Sequence, residues 1–279
     1  MMRALKILSV LIAAIAAVLF ATSLVVEYLG RDNTLPQITA SSNTLEISCN
    51  YTQEQLLEGV TAKDEKDGDL TGQILVGDFS RFIEPGVCDL NYVVFDSSEH
   101  MATLTRRVTF TDYHSPRFGL SQPLCFEEGS TNNTEVRSLF TANDLLDGDL
   151  TDWITYVETD ASYSTPGEYT ITMEVRNSFG DTVSYTFPIH ILEENTQTVE
   201  IVLTQGLVYV DQGGTLNPTS YVDSVVGEEG TNYGINQLKV DSQVDTATPG
   251  LYEVHYEFQG EDGAYGQTWL TVIVQGVTE

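Results

Sequence analysis

Two short strings hold most of the side chains in this chain whose type and spacing suit chemistry. Asp67-Gly68-Asp69-Leu70-Thr71 returns 80 residues later as Asp147-Gly148-Asp149-Leu150-Thr151. Asp64 and Asp144 precede these strings by three positions, so each gathers three carboxylates. Hard cations take several oxygen ligands at short range. That makes Asp64, Asp67 and Asp69, and again Asp144, Asp147 and Asp149, candidate calcium ligands. The spacing is not that of an EF-hand, because Lys63 and Glu65 fall on its first and third ligand positions. The competing reading is a turn, in which Asp side chains bind nearby backbone N–H groups and Gly supplies a positive φ.

The other reactive residue types are scattered. Cys49, Cys88 and Cys125 form no Cys-x-x-Cys, which excludes a zinc ribbon or a thioredoxin motif. Histidines 100, 114, 190 and 255 have no metal-ligand spacing, and His190 and His255 fall on outward strand faces where a solvated ring is expected. No Gly-x-Ser-x-Gly, phosphate loop or His-Glu-x-x-His occurs, so the chain is not expected to be an enzyme. Trp153 stands where the preceding copy has Gln73, and Trp269 where the others have Thr105 and Thr186. A ring at a position that is otherwise polar belongs near the surface. There it can anchor a partner or stack on a sugar, or else lie against a neighbouring domain.

These residues sit in a threefold repeat. Pro-Gly recurs at Pro85-Gly86, Pro166-Gly167 and Pro249-Gly250, each followed by an alternating run. The inward sets are Cys88, Leu90, Tyr92 and Val94; Tyr169, Ile171, Met173 and Val175; and Tyr252, Val254, Tyr256 and Phe258. Period two with one apolar face predicts half-buried antiparallel strands. A second alternating run closes each copy, through Leu104, Val108 and Phe110, then Tyr185, Phe187, Ile189 and Ile191, then Leu270, Val272 and Val274. Arg106 interrupts the first of these. The copies span 34–112, 114–193 and 198–275, and the third lacks the Asp-Gly-Asp string.

Before the repeats, residues 1–30 contain an apolar run from Leu5 to Val26, uncharged beyond Lys6, with Arg3 and Lys6 at its start and Glu27, Arg31 and Asp32 after it. About 20 apolar residues cross a bilayer, and positive residues stay on the cytoplasmic side. The expected arrangement is a single-pass anchor with a cytoplasmic N-terminus and extracellular repeats; a cleaved signal peptide is the alternative. The formal net charge is −29, from 12 Lys and Arg against 41 Asp and Glu, which excludes nucleic acid as a partner.

The order Ala-x-Asp-x-x-Asp-Gly-Asp-Leu-Thr, then Pro-Gly and an alternating strand, resembles the bacterial immunoglobulin-like domains found in tandem on cell-surface proteins. That type is also present in a pesticidal crystal protein and is akin to hyalin repeats. Ala62 to Thr71 and Ala142 to Thr151 carry the resemblance, and the third copy retains Thr248-Pro249-Gly250-Leu251-Tyr252. It implies an all-β fold of tandem immunoglobulin-like sandwiches after one transmembrane helix. In that topology the early strand ending at Cys49 meets the start of the Pro-Gly strand, so a Cys49–Cys88 disulfide is expected and Cys125 is left over. The function this implies is a non-catalytic surface stalk or adhesion protein that binds a cell-surface protein or glycan. A carbohydrate-binding accessory of the envelope is the alternative.

Overall fold

The computed structural model of the chain describes residues 2–30, 34–227, 230–261 and 263–276. Met1, Arg31, Asp32 and Asp262 lie outside these described residues. Helix α1 (Met2–Gly30) holds the apolar run. Its Lys6–Val26 stretch of 21 residues has a mean hydropathy of 2.6 and none of it is buried. At about 1.5 Å per residue it is long enough to cross a hydrocarbon core of about 30 Å.

Past the helix the chain is all-β, in immunoglobulin-like two-sheet repeats. Repeat one comprises β1 (Gln37–Ala40), β2 (Thr44–Ile47), a turn of helix α2 (Gln53–Leu56), β3 (Val60–Asp64), β4 (Gly68–Asp69), β5 (Leu75–Phe79), β6 (Val87–Phe95) and β7 (Met101–Phe110). Its sheets have the orders β1-β3-β4 and β2-β7-β6-β5. Repeat two restates this with β8 (Arg117–Leu120), β9 (Cys125–Glu127), α3 (Asn133–Ser138), β10 (Phe140–Asp144), β11 (Gly148–Asp149), β12 (Thr155–Thr159), β13 (Gly167–Arg176) and β14 (Thr182–Leu192). Its orders are β8-β10-β11 and β9-β14-β13-β12. Repeat three has β15 (Val199–Leu203), β16 (Leu207–Asp211), β17 (Val222–Gly227), β18 (Lys239–Ser242), β19 (Gly250–Gln259) and β20 (Tyr265–Gln275). Its orders are β15-β17 and β16-β20-β19-β18.

The alternating runs form the long hairpins the pattern predicts. β13 and β14 stay in register from Gly167↔Ile191 to Arg176↔Thr182, and β19 and β20 from Gly250↔Val274 to Gln259↔Tyr265. The early strands β9 and β16 lie parallel to the last strands, β14 and β20. Cys88, Leu90, Tyr92, Val94, Ile171, Met173, Val175, Val254, Tyr256 and Phe258 are buried as expected. Arg106, which breaks the alternation, points inward at 3% exposure. Its guanidinium donates to Glu58 O at 2.9 Å and Thr44 O at 3.1 Å, so it satisfies carbonyls at the end of the α2 turn and the start of β2.

By compactness the chain divides differently from its repeats. One unit holds residues 1–45, 52–79 and 89–108; the other holds 46–51, 80–88 and 109–279. The second unit contains repeats two and three entire. One of its cores, around Phe118, Phe140, Phe187 and Ile189, also takes in Leu207 and Ile273 from repeat three. The other, around Val225, Val254, Tyr256 and Leu270, is repeat three's own.

Candidate functional site

The Asp-Gly-Asp strings form turns, and their carboxylates are held apart by separate tasks. Asp64 Oδ1 accepts the Lys66 and Asp67 N–H groups at 2.7 and 3.0 Å; Asp144 Oδ1 accepts those of Leu146 and Asp147 at 2.8 and 3.0 Å. Gly68 and Gly148 complete the turns with φ of 77° and 74°. Asp67 reaches across its repeat to the Ser97 N–H and hydroxyl, and Asp147 does the same to Ser178, both at 2.7 and 2.8 Å. Asp69 and Asp149 accept the Thr71 and Thr151 N–H groups at 2.9 Å. The Thr71 and Thr151 hydroxyl and N–H groups hold those two carboxyls below their ordinary range. Among the described residues no group of three or more His, Cys, Asp or Glu is arranged to hold a metal ion, so neither triad converges.

Behind each turn lies a buried polar knot. In repeat two, Asp144 is 1% exposed and Asn177 3%. Asn177 Nδ2 donates to Asp144 Oδ2 at 3.2 Å and to the Tyr113 hydroxyl at 2.9 Å. Tyr113 in turn donates to Asp181 Oδ2 at 2.7 Å, and burial followed by the Asp181 carboxylate pushes its phenol far up. In repeat one the Asn177 position is Asp96. Its Oδ1 accepts the Ser98 and His100 N–H groups, both at 2.8 Å, and its Oδ2 is 2.7 Å from His100 Nδ1. Burial alone raises the Asp96 carboxyl, but these donors outweigh it and the net shift is downward.

The other concentration of reactive residue types is the seam between repeats two and three, within one compact unit. The outward face of β14 meets the outward faces of β19 and β20. His190, 5% exposed, bonds both Glu253 oxygens at 2.9 and 3.1 Å. Its ring stacks on Trp269 at 3.9 Å and 6°, and His255 covers the other face at 4.4 Å and 21°. Cys125, in register with His190, donates its thiol toward Gln267 O at 3.9 Å. Cys, His and Glu together are the residue types of a hydrolase, but here the imidazole is spent on Glu253 and Trp269 and the thiol on a carbonyl. Burial, then the Glu253 charge, raises the Cys125 thiol to about 12, so it carries no thiolate at neutral pH. Further along the seam, Tyr209 accepts the Phe118 N–H at 2.8 Å and lies under the Arg117 guanidinium at 5.1 Å, while Arg117 also bonds Gln275. Gly206 is required here, because a Cβ would lie 2.2 Å from Gln122 O. A groove of about 590 Å³ runs between Cys125–Glu127 and Val199–Leu203.

Three sequence expectations therefore change. His190 is not a solvated outward residue. Trp269 is half-buried with both faces occupied, because the outward face it sits on is covered by repeat two. The structure has no Cys49–Cys88 disulfide. The end of β2 is turned to Asp112 instead: the Cys49 N–H and the Ser48 hydroxyl bond its two oxygens at 2.7 and 2.8 Å. Burial, then the hydrogen bond to Asp112, lifts the Cys49 thiol to about 12, and Cys88 is fully buried. Trp153 remains 56% exposed at the end of a short 3₁₀ turn, Thr151–Trp153. The sequence signal that was missed is the run Leu270-Thr271-Val272-Ile273-Val274, buried on consecutive positions and so covered on both faces.

No protein-family model matches the chain. The pesticidal crystal protein Cry22Aa of Bacillus thuringiensis is 26% identical over 253 residues, covering 87% of this chain and 33% of that protein. The chain thus spans about a third of the length of that curated relative. Among solved structures, the M60 catalytic domain with CBM51-1 and CBM51-2 of Clostridium perfringens ZmpB aligns over 88% of this chain and 31% of its own, at 10% identity and a TM-score of 0.25. The CBM51-2 domain of ZmpB with GlcNAc and INT domains covers 51% of this chain and 28% of its own, at 16% identity and a TM-score of 0.23. The protocadherin gamma-B4 extracellular domain covers 88% of this chain and 52% of its own, at 12% identity and a TM-score of 0.23.

Proposed function

We propose that this chain is a non-catalytic binding protein of the cell surface, anchored by α1 and presenting its repeats outside the cell. One observation carries the reading. The residue types that catalysis would need are spent on structure: the aspartates on turns and knots, and Cys125, His190, Glu253 and Trp269 on the seam. What faces solvent is an acidic surface on which Trp153 is a large exposed ring. Repeats two and three, joined into one unit, give that surface a fixed frame, which lowers the ordering cost of binding. The partner is a protein or a glycan; the exposed indole favours a glycan, since a sugar face stacks on such a ring. The full chain in lipid nanodiscs, probed on glycan and surface-protein arrays, is expected to bind, and Trp153→Ala to lose that binding with the fold intact. Turnover of any glycan or peptide by the purified chain overturns the reading. Protease applied to intact cells is expected to remove the repeats; repeats that survive until lysis reverse the orientation.

A further inference from the structure

The two knots share one backbone frame and differ in the side chain that closes it. Asn177 N–H bonds Asp181 O at 3.0 Å and its Oδ1 accepts the Asp181 N–H at 2.9 Å. Asp96 makes the same pair with His100, at 3.1 and 2.8 Å. The turns in front of them match to 0.1 Å in every shared carboxylate bond from Asp64 and Asp144. Where repeat two has the Asn177 amide nitrogen, 3.2 Å from Asp144 Oδ2, the shared frame gives repeat one a carboxylate oxygen of Asp96. The counterpart of Asp144 Oδ2, Asp64 Oδ2, is buried and accepts no hydrogen bond. Both aspartates are more than nine-tenths buried, at 7% and 6% exposure. Two buried carboxylates that take the places of an amide and its acceptor repel unless a positive charge lies between them.

We propose that Asp64 Oδ2 and Asp96 Oδ2 bind one hard divalent cation, calcium, and that repeat two binds none because the Asn177 amide already fills the place. The donors are all oxygen, which selects against soft metals. Two carboxylates balance the ion's charge. The Thr34 hydroxyl, 3.3 Å from Asp64 Oδ1, offers a third oxygen nearby, and water completes the shell. Asp96 Oδ2 keeps the His100 contact, since a carboxylate oxygen has two lone-pair directions. The site draws only one member, Asp64, from the sequence-level triads, and it does not depend on the binding-protein reading.

Equilibrium dialysis of the full chain in detergent against millimolar radioactive calcium tests it. One calcium per chain is expected for the wild type and for Asp69→Asn and Asp149→Asn, and none for Asp96→Asn. Asp96→Asn restores the chemistry of repeat two, so it is expected to fold and, in chelator, to unfold at a higher temperature than wild type. Zero calcium in the wild type overturns the proposal, with stabilisation on mild acidification then identifying a shared proton. Calcium retained by Asp96→Asn, or lost from Asp69→Asn, also overturns it.

Discussion

Repeats one and two fold the same string into the same turn and then complete it with opposite chemistry. Repeat two closes its buried aspartate with the neutral donor of Asn177; repeat one sets Asp96 there and leaves Asp64 Oδ2 without a hydrogen bond. Repeat three abandons the knot. Gly260 stands at the Asn177 position with no side chain, its N–H bonding Ala264 O at 2.8 Å, and nearby Tyr233 lies on Phe258 at 4.5 Å. A turn backbone thus tolerates three interiors. What differs is what each interior demands: an amide, a positive charge, or apolar contact. Repeat three is further steadied by docking on repeat two, a contact the sequence repeat does not announce.

The largest expected effect comes from converting repeat two into repeat one. Asn177→Asp in chelator removes the donor to Asp144 and Tyr113 and buries a second charge. It is expected to lose roughly 3–4 kcal/mol of stability in urea unfolding, as for a broken buried pair. Calcium is expected to recover part of this loss, and a variant as stable as wild type would erase the contrast. Next is Gly206→Ala at the seam. The new methyl collides with Gln122 O and is expected to cost roughly 2–3 kcal/mol, with repeats two and three unfolding in separate transitions by calorimetry. Trp269→Ala removes the ring between His190 and His255 and is expected to cost about 1–2 kcal/mol. It is also expected to make Cys125 alkylatable by iodoacetamide at pH 8, where burial otherwise keeps the thiol protonated.

The smallest effect is acid sensitivity. The Cys49 N–H, then the Ser48 hydroxyl, hold the Asp112 carboxyl below its ordinary value of 3.8. A depressed carboxyl contributes stability that is complete above 3.8 and is lost as pH falls through the lower folded value. Asp112→Asn is therefore expected to flatten the loss of unfolding free energy between about pH 4 and pH 2, by losing a little stability at pH 7 and almost none at pH 2. An acid limb unchanged by the substitution would mean that Asp112 gains nothing from Cys49 and Ser48.

Much of this was legible in the residues. The Leu5–Val26 run became one helix, the Pro-Gly positions each opened a long strand, and the inward sets of those strands are buried except at Tyr169 and Tyr252, which are half-buried. The turn reading of the Asp-Gly-Asp strings could be read from local chemistry, because Asp64 and Asp69 bond N–H groups two or three residues on. Arg106 could not be explained, because its acceptors at Thr44 and Glu58 are distant in sequence. The Cys49–Cys88 expectation failed for a related reason: topology brings strand ends near each other but does not choose which partner a strand end takes, and Asp112 took it.

The sequence alone determined that this protein is a helix followed by three β repeats, and which face of each long strand turns inward. Those properties depend on periods of 3.6 and 2 that each segment carries within itself. Only the tertiary structure decided what covers the outward faces. Trp269 and His190 look like surface residues one repeat at a time, and become a stack with His190 buried and Trp269 half-buried because one outward face lies on another. It likewise decided that Asp64 keeps an unfilled oxygen while Asp144 does not, since the deciding atom belongs to a residue some thirty positions away. Periodicity is a local property, whereas the satisfaction of a buried group depends on every neighbour the fold brings to it.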